Sequence, residues 1–207
     1  EEYQQAYADA MREEYQGILD AGLILQVDDP ALFSEWNMRR DPDIAAYRRW
    51  VEARVEVINH ALRGLPEDRI RFHTCYGVNV GPRLCDLQLD QGLDLMLRIR
   101  AGAFSFEAAN PRHDHEWRVP RRVPLPDGKV LIPGMVTHSN PTIEHPELVA
   151  DRIERWANAA GRENIIAGND CGFSSNAGNR EVPLTVAWAK LRSLGEGART
   201  ASSRLWR

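Results

Sequence analysis

Three short segments carry residues able to grip a soft metal ion. His73 and Cys75 stand two apart in Ile70-Arg71-Phe72-His73-Thr74-Cys75. In a strand, residues i and i+2 point to one side, so this pair can hold one ion between them. Glu107 closes Ser105-Phe106-Glu107, and Cys171 lies in Asn169-Asp170-Cys171-Gly172. Together these four offer an imidazole, two thiolates and a carboxylate, a set that suits zinc better than magnesium or calcium. Three ligand negative charges on a divalent ion make a poor carbonyl activator and a good holder of a nucleophilic thiolate. The chemistry indicated is S-alkylation, with a general acid assisting the leaving group. Hydrolysis with Asp28 or Asp170 as base fits less well, because hydrolytic zinc sites favour His and carboxylate ligands. A non-catalytic structural zinc barrel is the third reading.

Other reactive side chains have a simpler reading. A single buried Cys is usually a small hydrophobe; it is the convergence of several strand ends that favours a metal. Cys85, in Gly81-Pro82-Arg83-Leu84-Cys85-Asp86, has no His beside it and reads as structural. His113-Asp114-His115-Glu116 is a rival metal cluster, but no second segment completes it, so a solvated or lid role is expected. Arg118, Arg121 and Arg122 could meet an anionic substrate, although a charge run is more often a solvated face.

The elements that must position these residues alternate. Residues 3–21 predict a helix with Tyr3, Tyr7, Met11, Ile18 and Leu19 near one face, closed by Gly22. The run 23–27 predicts a strand ending at Asp28. A helix follows from Asp41-Pro42-Asp43 through Tyr47, Val51, Val55, Ile58 and Leu62 to Gly64. Residues 70–75 predict a strand, 86–100 a helix, 103–107 a strand, and 129–137 a strand ending at His138. A helix over 145–160 turns Leu148, Ile153 and Trp156 inward, a fifth strand spans 164–169, and a last helix spans 183–202. Such alternation predicts βαβ units and a parallel sheet. No GxGxxG follows a strand and no GxxxxGK[ST] occurs, which removes the main support for a nucleotide-binding sheet. An α/β fold of (β/α)8 TIM-barrel type remains, here as about five βα units. Its active site forms at the C-terminal strand ends, where Asp28, His73, Cys75, Glu107, His138, Asp170 and Cys171 all fall. Asp28 and Asp170 are the candidate substrate-binding carboxylates.

Composition sets the outer bounds. The chain has 207 residues, 43% hydrophobic and 27% charged, which is ordinary for a globular domain. Its net charge of −4 offers no basic field, so neither nucleic acid nor an anionic membrane surface is expected as a partner. No apolar run approaches the ~18 residues of a membrane span. Three cysteines are too few for a disulfide scaffold and favour a reducing, cytoplasmic setting.

Phe72-His73-Thr74-Cys75-Tyr76, Ser105-Phe106-Glu107 and Asn169-Asp170-Cys171-Gly172 resemble the zinc motif of the cobalamin-independent methionine synthase family. Gln26-Val27-Asp28-Asp29-Pro30 and Thr137-His138-Ser139 resemble two further family segments, in the same order. The resemblance covers nearly the whole chain as a single domain, 1–207, matching the C-terminal catalytic barrel without its first strands. It extends to short methionine-synthase-like relatives, among them epoxyalkane:coenzyme M transferase. It implies zinc held by His73, Cys75, Glu107 and Cys171; of these Glu107 is the weakest donor and is expected to yield when the thiol arrives. Asp28 would bind the amino group of homocysteine or a similar thiol, and His138 would donate a proton to the leaving group. The donor would be a 5-methyltetrahydrofolate-type methyl carrier, or an epoxide in the coenzyme M case. Asp29 and the segment Ala108-Ala109-Asn110-Pro111-Arg112 differ from the family pattern at places where substrate would be read. A barrel short of three strands would leave two sheet edges open, so association into a homo-oligomer is expected.

Overall fold

The structure, a computed structural model, describes residues 2–39, 43–77, 85–174, 178 and 182–207. Strands β1 (Leu25–Asp28), β2 (Ile70–His73), β3 (Ala103–Phe106), β4 (Val130–Val136) and β5 (Gly168–Asn169) form one sheet in the order β1-β2-β3-β4-β5. Every pairing is parallel. Helix α1 (Glu2–Asp20) precedes β1, and α2 (Ala31–Ser34) and α3 (Ile44–Ala61) join β1 to β2. Helix α4 (Leu93–Met96) leads into β3, α5 (Pro146–Ala160) joins β4 to β5, and α6 (Leu184–Leu205) follows β5. Strand order tracks chain order without reversal, as in a (β/α)8-type barrel; a doubly wound sheet reverses at a switch point. The fold is α/β, with five strands of the barrel type.

Alternation along the strands separates two faces. Leu25, Val27, Ile70, Phe72, Phe104, Phe106 and Leu131 are buried in one core with Tyr47, Val51 and Val55 of α3 and Val149, Ile153 and Trp156 of α5. Phe106 and Trp156 meet edge to face at 5.6 Å. The other face carries Gln26, Asp28, Arg71, His73 and Ser105, and these polar residues, together with Ile132, Ile166 and Leu194, line a cavity. Helix starts follow local chemistry. Asp43 accepts from the Ala45 amide at the head of α3, and Pro146 opens α5 where no amide is needed.

Several expected elements differ. Residues 41–42 of the predicted helix start lie outside the described residues. The helix expected over 86–100 is only a 3-10 turn (Leu89–Gln91) followed by α4. Leu87, Leu89, Leu93, Leu95, Met96, Leu97 and Ile99 are all buried, and they recur at nearly every second position between half-buried or exposed Gln88, Asp90, Asp94, Arg98 and Arg100, so the pattern carries no 3.6-residue period. Leu23 and Ile24 are exposed, and β1 starts two residues later than the apolar run suggested. Leu148 is 38% exposed, while Ile153 and Trp156 point inward as expected. Tyr3 and Tyr7 of α1 are exposed rather than packed. The fifth strand shrinks to two residues, with an isolated bridge from Leu131 to Ile165 ahead of it.

Helix α6 lies so close to α5 that a Cβ on Gly197 would sit 2.5 Å from Val149 Cβ and 2.7 Å from the Pro146 carbonyl oxygen. Gly195, on the same helix, has nothing nearer than Arg199 Nη1 at 3.7 Å. Replacing either glycine by alanine brings about 1 kcal/mol of helix propensity, but overpacking at Gly197 costs about 1–3 kcal/mol. Gly195→Ala is therefore expected to raise the melting temperature and Gly197→Ala to lower it, each by a few degrees. Shifts of the same sign in thermal unfolding would contradict this packing.

Candidate metal centre

His73, at the end of β2, Cys75, two residues on, and Cys171, just past β5, bring Nε2 and two Sγ atoms within 4.8 Å of one another. Cys171 Sγ lies 3.6 Å from His73 Nε2. The other ring nitrogen of His73, Nδ1, is 3.1 Å from Ser105 Oγ on β3, which fixes the imidazole and aims Nε2 at the sulfurs. The two thiols are hydrogen-bonded to each other. Cys75 is pushed down to about 4, chiefly by its hydrogen bond with Cys171, with His73 and the Gly77 amide assisting against burial. Cys171 is pushed up by the same bond and by burial. Two cysteine sulfurs and an oriented imidazole converging at one point fit a soft divalent ion such as zinc.

Glu107 falls elsewhere. Its carboxylate, with His138 and Asp170, forms a second buried group whose ligand atoms lie within 4.8 Å of one another. Glu107 accepts from the Tyr76 amide at 2.9 Å and from Asn110 Nδ2 at 2.9 Å. Burial, then the charge of Asp170, pushes its carboxyl up to about 8. Asp170 is wholly buried: Oδ1 accepts from the Ala108 and Ala109 amides, each at 2.7 Å, and Oδ2 from Asn110 at 3.3 Å. It is thus committed to holding residues 108–110 and does not line the cavity, which corrects the expectation that it faces substrate. The same contacts show what 108–112 does here: it satisfies buried acids from behind. Gly134 makes room for this, since a Cβ there would stand 2.0 Å from Asp170 Oδ1.

Asp28 lines a cavity of about 760 Å³ together with His73, Cys75 and Cys171. Its Oδ1 accepts from Gln26 Nε2 at 2.9 Å. Asp29 turns the other way, into an ion pair with Arg54 of α3. His138, just past β4, is 3% exposed and sits beside the carboxylate pair rather than on the cavity wall. The turn that follows it is fastened to α6. Glu144 accepts from the Thr137 amide at 2.8 Å and from the wholly buried Lys190 at 2.9 Å, and Ser193 donates to the Glu144 carbonyl.

Sequence reasoning missed the cluster behind the centre. His113 is fully buried, not solvated: its ring nitrogens lie 2.9 Å from Glu116 and 3.2 Å from Asp86, and Tyr76 stacks on it at 3.9 Å. Arg112 pairs with Asp86 and reaches Glu107 at 3.4 Å. His115 is exposed, so the rival metal cluster does not assemble. The i, i+3 spacing of His113 and Glu116 was the available signal. Arg118 and Arg121 stack on Trp117 at the surface, and Arg122 is exposed. Cys85 is also exposed, so it fills no core position.

The family described as cobalamin-independent synthase, catalytic domain, matches residues 1–191, and the chain belongs to it. A curated methionine synthase of Methanothermobacter marburgensis is 26% identical over 193 residues, 92% of this chain and 52% of its own length. Among solved structures, a B12-independent methionine synthase from a Shewanella species, in complex with selenomethionine, superposes with a TM-score of 0.72 at 19% identity. That match covers 98% of this chain and 55% of the other. The chain thus spans about half the length of the relatives it matches. Among the described residues no helix is long and apolar enough to cross a membrane.

Burial alone would lower the His113 pKa, but its bonds to Asp86 and Glu116 prevail and raise it to about 9. The folded value lies above the ordinary value of about 6.5, so the charged ring contributes stability on the order of 3 kcal/mol below that pH. The contribution is lost as pH rises through about 9. Thermal unfolding from pH 7 to 10 is expected to show wild-type stability falling toward that of His113→Gln. Parallel curves over that range would remove the charged His113 from the account.

Proposed function

We propose that this domain is a zinc-dependent thiol S-methyltransferase. It would move a methyl group from a 5-methyltetrahydrofolate-type donor to homocysteine or a similar thiol. The observation that carries the reading is the convergence of His73, Cys75 and Cys171 on the wall of a cavity that also holds Asp28. Family membership supports the reaction class.

The residues divide the work. His73, Cys75 and Cys171 would hold the metal, with Ser105 fixing the imidazole. When bound, zinc supplies a Lewis acid that keeps a substrate thiol deprotonated near neutral pH. Three protein donors leave the fourth position that a catalytic zinc site keeps for its substrate. Asp28, exposed on the cavity wall, takes the substrate's ammonium group. We assign to His138, buried beside Glu107 and Asp170 and off the cavity wall, the proton that the leaving group acquires, which would have to be relayed to the cavity. Glu107, which sequence resemblance placed among the ligands, works from this second group.

Purified protein is expected to carry stoichiometric zinc, lost in Cys75→Ser and Cys171→Ser. X-ray absorption should show two protein sulfurs at the metal and a third after homocysteine is added. His138→Asn should retain zinc while turnover falls about 100-fold or more. A metal environment unchanged by homocysteine would refute the thiol-transfer reading.

A further inference from the structure

Arg71 shares the inward face of β2 with His73, two residues nearer the strand start, and lines the same cavity as His73, Cys75 and Cys171. In the sheet its neighbours are Gln26 on β1 and Ala103 on β3. Ala103 is short and leaves that side open. The guanidinium's polar partner is the neutral Gln26 side-chain oxygen, at 3.2 Å. Among the described residues no ion pair engages it. Arg48, Arg54, Arg112 and Arg152 are matched to carboxylates, whereas half-buried Arg12 and Arg69 donate to main-chain carbonyls and Arg39 lies over Tyr47 and Trp50; Arg71 differs from these three in facing the cavity.

A charged fork that stays protonated, faces a cavity and lacks a protein anion is suited to a ligand anion, and its planar geometry matches a carboxylate or sulfonate. Two residues along a strand span about 7 Å, and the long arginine side chain can cover the part of that span that a short thiol acid does not. Asp28, paired with His73 in the sheet register, stands one layer above Arg71, which is paired with Gln26. The cavity therefore offers a negative group near the thiol position and a positive group below it.

We infer that Arg71 reads the anionic end of the thiol, so that the site selects thiols carrying a carboxylate or sulfonate a few carbons from sulfur. This rests on the thiol-transfer reading above. The test is calorimetric titration of the zinc-loaded full-length protein with 3-mercaptopropionate, 2-mercaptoethanesulfonate, 2-mercaptoethanol and cysteamine. The two acids are expected to bind more tightly than 2-mercaptoethanol. Arg71→Met should weaken both acids about 10-fold or more while leaving the neutral and cationic thiols unchanged. Arg71→Lys should recover part of the loss. Tight binding of only one acid would identify which anion the fork accepts and would still support the inference. Equal binding of all four thiols, or an equal loss of all four in Arg71→Met, would overturn the role of Arg71 and leave the thiol site standing. Failure of every thiol to bind would overturn both.

Discussion

Two carboxylates with no access to solvent, Glu107 and Asp170, constrain this end of the sheet more than any other feature. A buried acid must be supplied with donors, or its charge costs several kcal/mol. The chain meets that demand with main-chain amides of residues 76, 108 and 109 and with Asn110, and it leaves position 134 without a side chain so that β4 and Asp170 can touch. Satisfying the acids fixes the segment after β3, and that segment's Arg112 links Glu107 to the Asp86–His113–Glu116 cluster. Tyr76, stacked on His113, follows Cys75 in the chain. The loop that presents the thiol is thereby tied to a rigid polar base.

On the other side of that base lies the softer chemistry. The sulfurs and the imidazole meet at an open cavity, while the harder carboxylate donors stay behind it. The division is physical. Thiolates and imidazole are the donors a soft divalent ion prefers, and an imidazole held by Ser105 can offer only one nitrogen. Carboxylates already saturated by amides are weaker competitors for the same ion. His138 stands with the acids, on a turn bolted to α6 through the buried Lys190–Glu144 pair.

Much of this was legible in the sequence because it depends on short-range spacing. His73 and Cys75 share a face because a strand repeats every two residues, and the five strands follow from apolar runs broken by Gly, Pro and carboxylates. The stripe Tyr47, Val51, Val55 marked α3, and Asp43 marked its start. The segment 86–100 was misread as one helix, although its buried residues (Leu87, Leu89, Leu93, Leu95, Leu97 and Ile99) recur every second position and carry no 3.6-residue period. Leu148, by contrast, is apolar in sequence yet sits on the outer side of α5.

The sequence by itself determined the strand-end chemistry: a His and two Cys at the C-terminal edge of a parallel sheet, with Asp28 beside them, on an α/β fold of barrel type. Only the tertiary structure decided which partners each charged group keeps. Glu107 and Asp170 lie behind the sulfurs because amides from residues distant in sequence converge on them, and His113 is buried because Asp86, 27 residues away, meets it. Among the described residues Arg71 faces the cavity without a carboxylate, its neighbours across the sheet being Gln26 and Ala103. Pairing across strands is set by register and packing, and no local spacing encodes either.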